Sequence, residues 1–264
     1  MQAESSANQS SDQGHKGTLF LWPDHWQVLG RLMPNRPHRH ISASLLIGVD
    51  GPFRICVDAI WRETRAAIVA PDVSQALDPG NTRLWGVQLD PDSIHWRSLK
   101  SLTAGKASAD LSLSGLELPG SGEHRCGAMA QSLANVIAHS GHAPVELDDR
   151  IATVCRLLRE ELPERLELTS LAQRVELSSS RLTHLFRQQT GVPLRRFLLH
   201  LKMNRALAFW EPGKSVSRLA TEAGFYDQPH LVRTARDMFD ALPSAYVTAG
   251  WFRVCRCGLA EDPG

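Results

Sequence analysis

The sequence has few of the features that mark secreted, membrane-spanning or disulfide-rich proteins. No apolar run comes near the roughly 20 residues that a transmembrane helix needs, and residues 1–17 are polar and lack the apolar core of a secretion signal. The cysteines are Cys56, Cys126, Cys155, Cys255 and Cys257, and they include no CxxC pair. These absences predict a cytoplasmic protein with a disordered N-terminus and reduced, mostly structural thiols.

The chain as a whole carries almost no net charge, but one region of it is clearly basic. The formal net charge is +1 for 264 residues. Residues 1–160 contain 15 Lys or Arg and 17 Asp or Glu, which gives a net charge of −2. Residues 168–239 contain 11 Lys or Arg and 5 Asp or Glu, which gives +6. A basic region of this kind favours a polyanionic partner.

Short runs rich in Val, Ile, Leu and Trp occupy the segment from about Thr18 to Pro91. They are SASLLIGV (42–49), FRICVDAIW (53–61), AAIVA (66–70) and RLWGVQL (83–89), and turn sequences such as VDGP and DPGN separate them. Their close spacing predicts a β-sandwich or a small β-barrel. The Ser-, Gly- and Leu-rich stretch at 100–122 is predicted to be loop.

Helical periodicity begins near Glu123. One apolar stripe contains Met129, Leu133, Val136 and Ile137. It forms either a dimer interface or a face that packs on its own domain. From Leu147 onward, helical stripes alternate with short turns up to about Tyr246.

Two segments of the basic region share one pattern, which is a short helix, a tight turn and a second helix. They are LTSLAQRVELSSSRLTHLFRQQTG (168–191) and VSRLATEAGFYDQPHLVRTARDMFD (216–240). The intervening PLRRFLLHLKMNRALAFW (193–210) is long enough for a continuous linker helix. This arrangement predicts two helix-turn-helix units held at a fixed separation.

Capping residues support the assignment of these helices. Thr169 or Ser170 is predicted to cap the first helix of the first unit, while Ser178 and Asp227 are predicted to cap the second helix of each unit. Gly224 provides the backbone freedom that the second turn needs.

The second helix of each unit offers side chains that can reach base edges or phosphates. The candidates in the first unit and the linker are Ser179, Ser180, Thr183, His184, Arg187, Arg195 and Arg196, and those in the second unit are Gln228, Pro229, His230, Val232, Arg233 and Arg236. These faces favour a DNA-binding domain over the alternative, a helical interaction domain that touches no DNA.

Residues 147–246 resemble the DNA-binding domain of the AraC/XylS family of bacterial transcription regulators. The resemblance covers both units, the linker RRFLLHLKMNRAL and ALPSAY (241–246), and its most specific part is Ala-Gly-Phe followed by DQPH in the second unit. The family pattern usually has Gly where this chain has Glu176, Phe where it has Ala235, and Gly-x-Thr-Pro where it has DALP (240–243). HISASLLIGVDGPFRI and RLWGVQLDPDS resemble the sensor domain of such proteins less specifically.

The resemblance implies an α+β protein in which an N-terminal cupin-like β-barrel precedes an all-α domain with two helix-turn-helix units joined by a linker helix. The predicted parts are a disordered N-terminus (1–17), a cupin-like sensor domain (18–122), a connecting or dimerisation helix (123–145), the DNA-binding domain (146–250) and a C-terminal tail (251–264). The implied partners are double-stranded DNA, RNA polymerase, a small-molecule effector and a second copy of the chain. No enzyme activity and no cofactor are expected.

The sequence PHRH (37–40) is where a cupin-type metal site would begin, so His38 and His40 are the metal or effector candidates. No carboxylate follows in ISASLL (41–46), and Gln75 stands where the sensor domains often have a later His. This ligand count favours polar residues at the barrel mouth over a metal site. Two alternatives to an effector-sensing regulator stay open, a cupin-type metal-dependent enzyme and a regulator whose barrel serves only for dimerisation.

Overall fold

The computed structural model describes residues 16–120, 123–211, 213–240 and 252–258. A strand-rich half is followed by a helical half, so the chain is an α+β protein as predicted. None of the helices in these ranges combines the length and the hydrophobicity that a membrane span requires. The motif ALPSAY, residues 1–15 of the predicted N-terminus and residues 259–264 of the predicted tail lie outside the described residues.

The strand-rich half contains two sheets. Its strands are β1 (Gly17–Leu21), β2 (His25–Gly30), β3 (His38–Arg39), β4 (Ala43–Gly48), β5 (Phe53–Val57), β6 (Ile60–Thr64), β7 (Ala66–Val69), β8 (Ser74–Asp78), β9 (Leu84–Leu89), β10 (Ser108–Asp110) and β11 (Phe252–Arg256). The larger sheet has the order β10-β7-β4-β9-β2-β1-β11, and the smaller has the order β3-β8-β5-β6. β10 and a 3-10 turn at Lys100–Thr103 lie in the stretch that was predicted to be loop.

The larger sheet is buried on both faces, which explains its continuous apolar runs. Successive side chains of a strand point to opposite faces, and in β4 Leu46 packs with Phe53 and Ile55 of the smaller sheet. Its neighbours Leu45 and Ile47 pack on the other side, in a cluster shared with two helices. Strands covered on both sides are apolar over most of their length, and the buried polar residues of this sheet, such as Gln27, Ser44 and Gln88, are hydrogen-bonded.

Those two helices are α1 (Ile94–Leu99) and α2 (Cys126–Ser140). Met129, Leu133 and Val136 of α2 are buried in the same cluster as the sheet residues. The predicted apolar stripe therefore packs on its own domain and is not available as a dimer interface. Hydrophobic spacing alone could not distinguish these outcomes, because both bury the same residues.

The helical half contains six helices in the described residues. They are α3 (Asp149–Glu161), α4 (Leu168–Gln173), α5 (Ser179–Thr190), α6 (Leu194–Phe209), α7 (Val216–Glu222) and α8 (Gln228–Phe239). α4 with α5 and α7 with α8 form the two predicted units, and α6 is the predicted linker helix. Buried side chains of all six helices belong to one apolar cluster.

The predicted caps of α5 and α8 are confirmed. Ser178 Oγ accepts a hydrogen bond from the backbone N–H of Arg181 at 3.2 Å, and Asp227 Oδ1 accepts one from that of His230 at 2.7 Å. The cap predicted for α4 is wrong, because α4 begins earlier and its N-cap, Glu167, makes no side-chain capping bond. Packing of its first residue on the helical core determines where this helix begins.

The last described residues, 252–258, lie against the strand-rich half. β11 is an edge strand and runs parallel to β1, with Phe252 opposite Gly17. Cys257, which follows it, forms a disulfide with Cys126 at the start of α2. Residues 252–256, which were predicted to be part of a tail, therefore form a strand. The prediction that all thiols are reduced is wrong for Cys126 and Cys257, which form a disulfide. A five-residue edge strand and a pairing across 131 residues leave no local signal in the sequence.

Candidate nucleic-acid interface and effector pocket

Helix α5 presents the predicted DNA-contacting face of the first unit to solvent. Ser180, Thr183, His184 and Arg187 are exposed, and Ser179 is partly buried at the start of the helix. The hydroxyl of Thr183 donates a hydrogen bond to the carbonyl oxygen of Ser179 at 2.8 Å. The face is therefore polar, and it carries one strong cation and one imidazole.

Helix α8 presents a more basic face. Gln228, Arg233 and two further candidates, Pro229 and Arg236, are exposed, whereas His230 and Val232 are partly buried. The His230 ring packs edge-on against Phe225, with 5.3 Å between the centroids. Burial and the nearby cations Lys202 and Arg233 lower the pKa of His230. The solvent-facing cations of α8 are therefore its arginines.

Arg195 and Arg196, which sequence reasoning treated alike, differ in the structure. Arg195 is exposed. The guanidinium of Arg196 forms ion pairs with Asp72, between β7 and β8, at 2.9 Å and with Asp237 of α8 at 3.3 Å. Successive residues of a helix point about 100° apart, so one arginine faces solvent and the other the strand-rich half. In this arrangement the guanidinium of Arg196 is paired with carboxylates of both halves.

The C-terminal end of α8 is also attached to the strand-rich half. Asp240, the C-cap residue, accepts hydrogen bonds from the backbone N–H of Arg36 at 2.7 Å and from its Nε and Nη2 atoms at 3.0 and 2.7 Å. The ring of Phe239 lies 5.4 Å from that of His40 and 6.0 Å from that of Trp26. Helix α8, the second helix of the second unit, therefore contacts the half that is predicted to sense an effector.

A buried polar cluster joins the two halves at a second place. Asp90, just after β9, is fully buried, and its Oδ1 atom lies 2.6 Å from His200 Nε2 of α6 while its Oδ2 atom accepts a bond from Arg159 of α3 at 2.7 Å. Asn204 adds a hydrogen bond of 3.0 Å to Oδ1. Burial raises the pKa of this carboxyl, but His200 and Arg159 outweigh that effect and lower it to about 2. Asp90 is therefore ionised at neutral pH.

An apolar pocket of about 150 Å³ lies between these attachments. Trp26, Leu46 and Leu77 line it from the sheets, and Leu207 of α6 and Phe239 of α8 line it from the helical half. Its polar lining residues are Asn35, His38, His40, Gln75 and Gln88, and none of the described lining residues is charged. Pockets of small-molecule sites share this combination of apolar walls and a few polar groups.

His38 and His40, the predicted metal or effector candidates, contact each other in the wall of this pocket. Their Nε2 atoms are 2.9 Å apart, and Gln75 pairs with His38 across β3 and β8. Burial lowers the pKa of both imidazoles. The amide of Gln75 thus stands where a third metal-binding histidine would be expected. These residues therefore fit a neutral polar ligand better than a metal ion.

A second histidine cluster, which sequence reasoning missed, contains Asp24, His25 and His95. Asp24 Oδ1 lies 2.8 Å from His25 Nδ1, and its other oxygen lies 3.3 Å from His95 Nδ1. The indole N–H of Trp85 donates to Gln27 Oε1 at 2.9 Å, so the amide N–H of Gln27 faces His25 Nε2 at 3.2 Å. His25 therefore carries its proton on Nδ1 and donates it to Asp24, which opposes metal binding through that nitrogen.

Sequence reasoning also missed the residues that join the two halves. The partners of Asp240 and Asp90 lie 204 and 110 positions away, and pairings of this range have no sequence periodicity. The one available signal is Asp240 itself, which stands where the family pattern usually has Gly.

Comparison with known proteins finds relatives of the helical half. Residues 171–249 match a family described as a helix-turn-helix domain. The arabinose operon regulatory protein of Salmonella typhimurium is 31% identical over 113 residues, which are 42% of this chain and 40% of that protein. Its Escherichia coli counterpart is 30% identical over 112 residues. The chain thus aligns with about two fifths of the length of these curated relatives.

Solved structures extend the likeness to both halves, at the level of the fold. ToxT from Vibrio cholerae matches with a TM-score of 0.56 at 10% identity, covering 86% of this chain and 98% of that one. ToxT bound to an unsaturated fatty acid matches with a TM-score of 0.56 at 9% identity, covering 90% and 96%. The order of a strand-rich half and a helical half is therefore shared along most of both chains.

Proposed function

We propose that the protein is a sequence-specific DNA-binding transcription regulator of the AraC/XylS family, because its helical half resembles the DNA-binding domain of that family and matches a helix-turn-helix model over residues 171–249. The observation that carries the proposal is the pair of helix-turn-helix units whose second helices, α5 and α8, expose polar and basic faces. In this proposal both helices enter major grooves of one duplex, about 34 Å apart. The residues proposed to contact DNA are Ser179, Ser180, Thr183, His184 and Arg187 of α5, Gln228, Pro229, His230, Val232, Arg233 and Arg236 of α8, and Arg195 of α6.

The strand-rich half is, in this proposal, the sensor of a small molecule. Support comes from the apolar pocket, which is lined by residues of both halves, and from ToxT, a protein of similar fold that has been solved with a bound unsaturated fatty acid. A ligand there would touch Leu207 of the linker helix and Phe239 of α8. It could therefore change the position of the second unit without contacting DNA. The family resemblance further implies that the protein is cytoplasmic and that it interacts with RNA polymerase and with a second copy of itself.

The salt dependence of DNA binding tests the proposal. A duplex selected from a random library by the full-length protein would be titrated at several salt concentrations. Each phosphate that the protein neutralises adds about −0.9 to the slope of log K against log salt, so a steep decline is expected. A slope near zero would contradict a phosphate-contacting surface.

Two adjacent arginines provide a matched pair for this test. Arg195→Ala should make the slope shallower by about 0.9 and weaken all sequences alike, because it removes one exposed cation. Arg196→Ala should leave the slope nearly unchanged, because this side chain is paired with Asp72 and Asp237. The opposite ranking would mean that the two halves separate when the protein binds DNA.

A further inference from the structure

The directions of the hydrogen bonds in the pocket wall follow from one backbone carbonyl. His38 Nδ1 lies 2.8 Å from the carbonyl oxygen of Arg36, which can only accept. His38 therefore carries its proton on Nδ1, and its Nε2 atom is an acceptor. His40 Nε2, 2.9 Å away, must be the donor of the next bond. This leaves His40 Nδ1 as an acceptor, and it has no partner among the described residues.

Gln75 contributes a second unpaired acceptor. Its Nε2 atom donates to Ser44 Oγ at 2.7 Å, and the hydroxyl of Ser44 donates to Gln88 Oε1 at 3.1 Å. The side-chain oxygen of Gln75 is thus left as an acceptor, and within the described residues it too has no partner. Gln75 is 6% exposed. An unpaired buried acceptor destabilises the empty pocket, and a ligand with a donor group would remove that cost.

The charge of the wall selects against anions. None of the described lining residues is Lys or Arg, and burial lowers the pKa of His38 and His40, so both imidazoles are neutral at neutral pH. A carboxylate placed here would meet two lone pairs and lose its hydration without a compensating cation.

The volume limits the enclosed part of the ligand. A dry apolar cavity of about 150 Å³ is known to take benzene, and this pocket has about the same volume. One aromatic ring or a short branched chain therefore fits, and any longer group would extend through the open side.

We propose that this pocket binds an uncharged molecule with a ring-sized apolar body and a hydroxyl or N–H donor, and that it discriminates against carboxylates. The role of such a ligand as an effector rests on the proposed function, but its binding does not. The donor is received by His40 Nδ1 or Gln75 Oε1. Both atoms are buried in the wall, so the side chain that receives the donor turns towards the ligand on binding, and the apolar body lies against Trp26 and Phe239.

Three matched probes test the chemistry on the full-length protein, with affinity measured by calorimetry and checked by thermal shift. 4-Ethylphenol carries a donor, 4-ethylanisole carries none, and 4-ethylbenzoate carries a negative charge on the same ring. The phenol should bind about tenfold more tightly than the ether, as expected for one buried hydrogen bond to an otherwise unpaired acceptor, and the benzoate should bind most weakly. Equal binding by all three, preference for the benzoate, or no binding by any at millimolar concentration would overturn the proposal.

Variants locate the acceptor. Gln75→Leu and His40→Phe each keep an apolar wall, and at least one of them should reduce the preference for phenol over ether to about one while retaining ether binding. Gln131→Leu, on the exposed side of α2, is the matched control and should change nothing. Unchanged preference in both pocket variants would also overturn the assignment.

The same protein preparations would be tested for binding to the selected duplex, which separates the two proposals. Loss of the expected probe ranking with DNA binding intact refutes only the ligand class. Absence of DNA binding in the unmodified protein refutes the proposed function, whatever the probes do.

Discussion

Glu176 and Asp240 are non-glycine residues with left-handed backbone conformations, with φ of +55° and +54°. Such a conformation costs an L-residue about 1–2 kcal/mol. Asp240 has a compensation, because its carboxylate accepts three hydrogen bonds from Arg36. Glu176 is exposed, and the described part of the chain shows no ion pair for it. Both residues stand where the family pattern usually has glycine. Asp240 uses the position for a contact between the halves, whereas Glu176 only adds backbone strain.

We therefore expect Glu176→Gly to raise the free energy of unfolding by about 0.5–1 kcal/mol, since relief of the left-handed conformation exceeds the entropy that glycine adds to the unfolded chain. Urea denaturation would measure the change. Asp240→Gly is the matched control and should stabilise less, because aspartate tolerates the left-handed conformation better than glutamate does and because the change also removes the bonds to Arg36. A less stable Glu176→Gly protein would show that the glutamate makes a stabilising contact.

At the scale of elements, α5 and α8 have the same design and different chemistry. Both begin at an acceptor side chain, Ser178 or Asp227, and both bury an apolar face in one core. The exposed face of α5 carries small hydroxyls with His184, whereas that of α8 carries Gln228 and Arg233. An Arg or Gln that bonds a base with two hydrogen bonds contributes about 1–3 kcal/mol of discrimination.

Arg233→Ala should therefore relax base preference in one half of the DNA site and leave the other half unchanged. Sequencing of the duplexes selected by each variant would measure this preference position by position. Arg195→Ala is the control, because loss of a phosphate contact weakens all sequences alike. If Arg233→Ala leaves the preference intact while His184→Ala alters it, α5 alone reads the sequence and α8 serves as a backbone clamp.

Elements such as these were predictable because their causes are local. A cap at Ser178, the freedom of Gly224 and an apolar repeat each act within a few residues, so the helices of both units follow from the sequence. The parallel strand β11, the disulfide of Cys126 and the contacts of Arg196 depend on residues brought together from far along the chain. Local patterns carry no information about such pairings, so the contacts between the halves could be found only in the structure.

On the scale of the whole molecule, the two halves meet through polar groups on either side of an apolar pocket. Arg36 with Asp240 forms one attachment, and Asp90 with Arg159 and His200 forms the other. The first is exposed, with Arg36 85% accessible, so it contributes little free energy. The second is buried, and removal of one partner leaves a desolvated charge. The Asp90 cluster is therefore the stronger attachment.

Asp90→Asn should lower the free energy of unfolding by about 2–3 kcal/mol near neutral pH, less than the roughly 3–5 kcal/mol expected for a fully broken buried pair, because Asp92 still pairs with Arg159. The pKa of Asp90 is lowered to about 2 from its ordinary 3.8, so its stabilisation is complete above about pH 5 and is lost as the pH falls through 2. The difference between variant and unmodified protein should shrink over that interval in urea titrations. Asp110→Asn, which removes a surface carboxylate paired with Arg62, should show a small difference near neutral pH. An Asp90→Asn deficit that stays constant down to pH 2 would show that the shape of the side chain, and not its charge, holds the two halves together.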